Sequence, residues 1–283
     1  MSEDAWARWV LRPDNDLEAM HPVRDRVLSN GSVGLGDTLL DVGTGSGLIA
    51  LRALDLVGPE GRVIFCDVSE ALLEHCRAAA ASCPDDRCEF VLASADDLNP
   101  LAERTVDVLT TRSVLIYVKE KERAFREFSR VLRPGGRLSI FEPINRFGYP
   151  RRSDRFFGYD VTPVAGLAQK VMASYDRYQP ADDPMLDFDE RDLLRYAEDA
   201  GFTDIHLILE ATIDSRPWAG GVAWEEFLQV AGNPRVPPVG EVLEEVLIPS
   251  EQRRFADHLR PLVEEGRGEN RIALAYLWAS KAS

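Results

Sequence analysis

One stretch constrains this chain more than any other: Leu39-Leu40-Asp41-Val42-Gly43-Thr44-Gly45-Ser46-Gly47, an apolar run that empties into a turn with glycine at every second position. A buried strand feeding the first turn of a helix explains the pattern, because glycine reaches left-handed backbone angles without a Cβ penalty. Such a turn lets a ligand approach the backbone closely. It also presents the unpaired N–H groups and partial positive charge of the helix N-terminus. A nucleoside-type ligand on an α/β fold is therefore expected. The spacing narrows the choice, since a dinucleotide fingerprint G-x-G-x-x-G anchored on Gly43 and Gly45 needs glycine or alanine at position 48. Leu48 stands there instead. A strand-to-helix turn in some other α/β fold is the competing explanation for the glycines alone.

From residue 38 to 142, short β-rich runs alternate with helical periodicity, as a parallel sheet with crossover helices requires. The expected strands are 38–42, 62–66, 88–92, 106–111 and 137–142. Helices are expected after Gly47, after Ser69 and near Lys121, where Phe125, Phe128, Val131 and Leu132 share one face. Pro134-Gly135-Gly136 ends the last of these. Beyond Pro143 the alternation breaks, and 144–187 has no clear period, which suggests a lid or a structural flap. Alternation returns with a helix from Phe188 to Gly201, a strand at 205–210 and a closing strand at 271–279. Helical candidates at 224–230, 239–246 and 251–264 lie between those two strands. They either pack on the sheet or cap a substrate.

Several of these features occur in the order in which class I S-adenosylmethionine-dependent methyltransferases carry them. They are the D-x-G-x-G-x-G run from Asp41 to Gly47, the acidic Asp67 after the second strand, and Ala93-Ser94-Ala95-Asp96-Asp97-Leu98 after the third. Thr110 to Val118 follows the fourth strand, with Val131-Leu132-Arg133-Pro134-Gly135-Gly136 beyond it. Residues 38 to 142 resemble that family well, and the ends resemble it poorly. The resemblance implies a doubly wound, Rossmann-like α/β sheet of seven strands with an antiparallel last strand, here carrying helical cap insertions. It divides the chain into an N-terminal helical lid (1–37), a cofactor-binding core (38–143), a lid insertion (144–187), a core helix and strand (188–210), a helical cap (211–270) and the last core strand (271–283). S-adenosylmethionine is the implied cofactor.

In a doubly wound sheet the ligand lies at the carboxyl ends of the strands. Asp67 is placed to accept hydrogen bonds from both ribose hydroxyls, a task suited to a carboxylate's several acceptor sites; capping the following helix is its other possible role. By resemblance, Asp41 helps position the methionine end, with capping of the turn as its other role, Gly43, Thr44, Gly45 and Gly47 let the backbone pass against the cofactor, and Val68 packs on adenine. Ser94 stands where the family usually has the aspartate that accepts from the adenine amino group; either Ser94 accepts that bond more weakly or Asp96 reaches round to it, and Ala95 between them is counted with the cofactor residues. Arg112 pairs with the cofactor carboxylate, with an anionic substrate, or with a structural acid. Trp6 and Trp9 either close over the cofactor or staple the first helix.

Methyl transfer from a sulfonium is an in-line displacement, so a protein chiefly aligns donor and acceptor and excludes water. A base is needed only where the acceptor must lose a proton. Glu142, His21 and Tyr117 are the candidates. Each has an ordinary alternative: pairing with an arginine, capping a helix, and packing in the core. The expected activity is methyl transfer to O, N or C of a small metabolite, natural products included. A non-catalytic cofactor-binding or scaffolding protein on the same fold is the alternative, with an NAD-dependent oxidoreductase further behind because of Leu48.

Composition excludes other classes. With 33 Lys and Arg against 48 Asp and Glu, a net charge of −15 argues against a broad footprint for nucleic acid or anionic lipid. Glu142-Pro143-Ile144-Asn145 is not the Asn-Pro-Pro-Tyr type of motif found in enzymes that methylate exocyclic base nitrogens. No apolar run reaches membrane-spanning length. Met1 to Trp6 lacks the basic and apolar regions of a secretory leader, so a cytoplasmic chain with reduced cysteines is expected. Cys66, Cys76, Cys83 and Cys88 have no paired C-x-x-C spacing and suggest buried or half-buried thiols, with no metal site. They also fall in the cofactor half, unlike the arsenic-holding cysteines of arsenite methyltransferases. The sequence assigns no oligomeric state.

Overall fold

The computed structural model describes residues 3–12, 17–84, 86–149, 151–214 and 221–283. Parts of the expected N-terminal segment (1–2 and 13–16) and of the expected cap (215–220) lie outside them. The strands are β1 (Thr38–Val42), β2 (Arg62–Asp67), β3 (Cys88–Leu92), β4 (Val106–Arg112), β5 (Leu132–Pro143), β6 (Arg155–Phe156), β7 (Tyr159–Asp160), β8 (Phe202–Asp214) and β9 (Asn270–Lys281). Seven of them form one sheet in the order β3-β2-β1-β4-β5-β9-β8, while β6 and β7 pair separately. The first five are parallel, and β9 runs antiparallel to β5, as expected.

The chain divides into two compact units. The first comprises 1–143, 188–209 and 274–283. Its central strands are apolar on both faces, as a sheet covered by helices on each side requires: Leu39, Leu40, Val42, Val63, Phe65, Val108 and Leu109 are all buried. The helices of this unit are α1 (Glu3–Val10), α2 (His21–Asn30), α3 (Leu48–Val57), α4 (Glu70–Ala79), α5 (Lys121–Val131) and α7 (Glu190–Asp199). Parallel registers such as Val42↔Cys66 and Val42↔Thr111 bring the carboxyl ends of β2, β1 and β4 level. Because β2 and β4 flank β1, the strand order reverses there, and the crevice of a doubly wound sheet opens at that point.

The second unit comprises 144–187 and 210–273. It contains β6, β7, α6 (Ala165–Tyr178), α8 (Trp224–Leu228), α9 (Val239–Val246) and α10 (Pro249–Glu264). The two segments expected as a separate lid and cap share one hydrophobic core, in which Phe156 packs against Phe255 and Phe227 at ring separations of 5.8 and 6.5 Å. The sequence expectation missed α6. Its signal was the spacing of Leu167, Ala168, Val171 and Tyr175, which are buried on one face among exposed polar neighbours. Among the described residues no helix is long and apolar enough to cross a membrane.

Candidate functional site

The glycine turn after β1 is left-handed at all three glycines, with φ of +67° at Gly43, +57° at Gly45 and +80° at Gly47. Space is as restrictive as torsion. A Cβ on Gly43 would lie 2.3 Å from Val114 Cγ2, and one on Gly47 2.9 Å from Leu51 Cδ1. The turn is held from both sides. Asp67, at the end of β2, accepts from Gly45 N at 2.9 Å through Oδ2 and from Ser69 N at 3.1 Å through Oδ1. The Cys76 thiol of α4 donates to Gly45 O at 3.3 Å. Burial raises the Asp67 pKa, against the backbone N–H groups that favour its charge. Val68 N also acts on the carboxylate, and of its roughly four acceptor sites at least one is left for a hydroxyl donor.

The segment after β4 is the second wall. Ser113 takes φ +56°, a strained angle for a residue with a side chain. Glu142 of β5 holds that segment down: its Oε1 accepts from Val114 N and Leu115 N at 2.9 Å, and its Oε2 from Ile116 N at 3.3 Å. Burial outweighs those bonds and pushes the Glu142 pKa up to about 7. Lys121 Nζ donates to Val118 O at 2.8 Å and fixes the far end. Arg112 makes no ion pair among the described residues. Its pKa is lowered by burial, while the charges of Asp41 and Glu142 oppose that shift.

These walls enclose a cavity of about 430 Å³. Gly43, Gly45, Asp67, Val68, Ser94, Ala95, Asp96, Arg112 and Tyr117 line it, so the structure brings together most of the expected site. Trp6 and Trp9 of α1 line it too, and Trp6 stands edge-on to Tyr117 with ring centroids 4.7 Å apart. Ser94 Oγ donates to Asp96 Oδ1, so the two candidates for the third-strand contact are one hydrogen-bonded pair. The carboxylate of Asp67 and the guanidinium of Arg112 follow the strands on either side of β1. Between them lie apolar walls and glycine backbone. Such a distribution suits an elongated ligand with a diol, a flat apolar portion and an anionic end.

Asp41, Thr44, Gly47, Glu142 and His21 are absent from the lining. Asp41 is buried beneath the turn, accepts from Thr110 Oγ1 at 2.8 Å, and has its pKa pushed up to about 6 by burial. Thr44 is buried beside it. His21 is the first residue of α2. The sequence reading did not single out Val10, Leu72, Ser113, Val114 and Lys119, which line the cavity, or Cys76, which anchors the turn. Position directly after a strand end signalled Ser113 and Val114; nothing local signalled the others. All four cysteines are free thiols of the first unit, with Cys66 and Cys76 buried.

The profile of the ubiE/COQ5 methyltransferase family matches residues 19–211. A ubiquinone/menaquinone biosynthesis C-methyltransferase of Hahella chejuensis is 33% identical over 157 residues, which are 54% of this chain and 61% of that protein. An arsenite methyltransferase of Halobacterium salinarum is 35% identical over 115 residues, 41% of this chain and 29% of that protein. This chain thus spans less than two thirds of the length of either relative. Among solved structures, geranyl diphosphate C-methyltransferase from Streptomyces coelicolor A3(2) superposes with a TM-score of 0.53 at 16% identity, covering 92% of this chain and 76% of that one. That likeness is one of fold.

Proposed function

Because the chain belongs to the ubiE/COQ5 methyltransferase family, we propose that it transfers a methyl group from S-adenosylmethionine to O, N or C of a small organic metabolite. The observation that carries this reading is the cavity at the reversal of strand order. There Asp67, with acceptor capacity left over, and Arg112, with no ion pair among the described residues, flank a left-handed glycine turn. When bound, S-adenosylmethionine supplies an electrophilic methyl group on a sulfonium. The remaining work falls to the residues of this chain. Asp67 accepts from the ribose hydroxyls, and Val68 and Leu72 cover the base. Ser94 and Asp96 offer acceptors to its amino group, and Arg112 receives the carboxylate of the methionine end.

Trp6, Trp9 and Tyr117 exclude water from the reacting region, where desolvation strengthens every polar contact. Of the three candidate bases, Tyr117 is the one that lines the cavity. Glu142 acts as a positioning residue through the backbone of residues 114–116. The buried Cys66 and Cys76 thiols, whose pKa values burial raises, favour an organic acceptor over arsenite. The net charge of −15 favours a small acceptor over nucleic acid.

Calorimetric titration with S-adenosylmethionine, S-adenosylhomocysteine and NAD in parallel tests the proposal. Micromolar binding of the first two and none of the third is expected. Binding of NAD alone overturns it. Tight cofactor binding with no methyl transfer across a broad acceptor screen would point to a non-catalytic binding protein on the same fold.

A further inference from the structure

The second unit holds a cavity of its own, about 370 Å³, whose lining residues all belong to that unit. This is the size of a metabolite pocket. Part of the lining is apolar, with Phe156, Phe157 and Met172 contributing rings and a thioether. The charged part reverses the balance of the whole chain. Arg151, Arg152, Arg155 and Arg271 line the cavity against one acid, Glu269, in a protein with 48 acids and 33 bases. Every one of these arginines is braced by an acid: Asp176 holds Arg151 at 2.8 Å, Asp154 holds Arg152 at 2.8 Å, Asp160 and Asp154 hold Arg155 at 3.2 and 3.3 Å, and Glu269 holds Arg152 and Arg271 at 3.1 and 3.7 Å. A guanidinium carries five N–H donors, so bracing leaves donors over.

Two polar atoms in the same lining are more specific. The Tyr175 hydroxyl and Asn145 Nδ2 are buried with no hydrogen-bond partner among the described residues, and Tyr175 is only 5% exposed. Buried polar groups are satisfied in nearly all folded proteins, so two orphan atoms carried by residues that line one cavity call for an acceptor that a small side-chain adjustment brings within reach. Burial raises the Tyr175 pKa, so its hydroxyl keeps its proton and remains a donor at neutral pH. The lining therefore combines apolar surface with an excess of donors, and its complement is an apolar body with an acceptor-rich head.

We propose that this cavity is a second ligand site, taking an apolar molecule with an anionic carboxylate or phosphate head that accepts hydrogen bonds from Tyr175, Asn145 and the surrounding arginines. It does not rest on the methyl-transfer reading, since no residue of the cofactor cavity takes part. The test uses the full chain and two fluorescent probes of matched rings: 8-anilinonaphthalene-1-sulfonate, which is anionic, and neutral N-phenyl-1-naphthylamine. The anionic probe is expected to bind saturably, one per chain, at least tenfold tighter than the neutral one. Tyr175→Phe should weaken it about fivefold. Gly232→Leu should weaken it tenfold or more, because a Cβ there meets nothing nearer than Val236 Cγ2 at 3.9 Å and the side chain grows beside the lining.

Both variants should keep the wild-type melting temperature and S-adenosylhomocysteine affinity, which separates loss of the site from loss of the fold. Displacement by decanoate or by decyl phosphate, but not by decanol, supports the site and identifies its head group. Equal binding of the two probes, displacement by decanol as readily as by the anions, or an anionic-probe affinity unchanged in both variants overturns the proposal. Failure of S-adenosylhomocysteine to bind wild-type protein would overturn the transfer reading and leave this one standing.

Discussion

Glu142 and Leu115 are 27 residues apart, yet Oε1 of the first accepts the backbone N–H of the second at 2.9 Å in a fully buried setting. This bond, with its neighbours to Val114 and Ile116, ties the wall of the cavity to the sheet. Glu142→Ala leaves two buried N–H groups and one half-buried one unpaired and should cost about 3 kcal/mol in chemical denaturation. Glu142→Gln keeps the Oε1 acceptor for Val114 and Leu115. It should retain S-adenosylhomocysteine affinity within a few fold and measurable turnover. Near-native affinity with turnover abolished in the glutamine variant would instead mark Glu142 as a proton acceptor.

Stability should fall as pH rises through the weakly acidic range. Burial pushes Glu142 up to about 7 and Asp41 up to about 6, from ordinary carboxylate values of 4.5 and 3.8. Between those limits the folded chain holds protons that the unfolded chain has released, so the folded state is favoured at the lower end and loses that advantage as pH climbs through about 7. The loss is on the order of 1–3 kcal/mol per group, since each tenfold change in proton affinity is worth about 1.4 kcal/mol. Denaturation midpoints at pH 5 and pH 7.5 should show the decline in wild type and a smaller one in Glu142→Gln, whose amide mimics the protonated acid.

Gly43→Ala combines a left-handed φ of +67° with a Cβ 2.3 Å from Val114 Cγ2. It should destabilise the chain by about 1–3 kcal/mol from backbone strain, with a further steric penalty, and abolish detectable cofactor binding. Adding Val114→Ala removes the clash and leaves the strain. Partial recovery of stability in the double variant, read from denaturation midpoints, checks this division.

Asp67→Ala should weaken S-adenosylhomocysteine binding by about 1.5–3 kcal/mol, the usual worth of hydrogen bonds to a charged acceptor. Because Asp67 also holds Gly45 N and Ser69 N, the melting temperature should drop as well. Calorimetry below the transition separates the two effects. Unchanged affinity in the folded variant would remove Asp67 from the site.

Arg112→Gln distinguishes the roles open to its guanidinium. S-adenosylhomocysteine, which carries the amino-acid carboxylate, should bind about 1.5–3 kcal/mol more weakly to the variant. Methylthioadenosine, which lacks that carboxylate, should bind within twofold of wild type. Equal loss for both ligands would mean that Arg112 supports the fold of the cavity and not the carboxylate.

The sequence by itself determined the sheet and the turn. Strands of parallel sheets are apolar on both faces, and glycine is the residue that left-handed turns favour, so both features are written as local residue types at short spacing. The strand centres, the left-handed glycines and Asp67 beside them were legible for that reason. Tertiary structure alone decided what β5 does to the segment after β4. Whether Glu142 faces a substrate or three backbone N–H groups depends on the register of two neighbouring strands, which no local spacing encodes. It also decided that 144–187 and 210–273 build one core. Hydrophobic burial is non-directional, so Phe156 and Phe255 carry no mark in the sequence that they are partners.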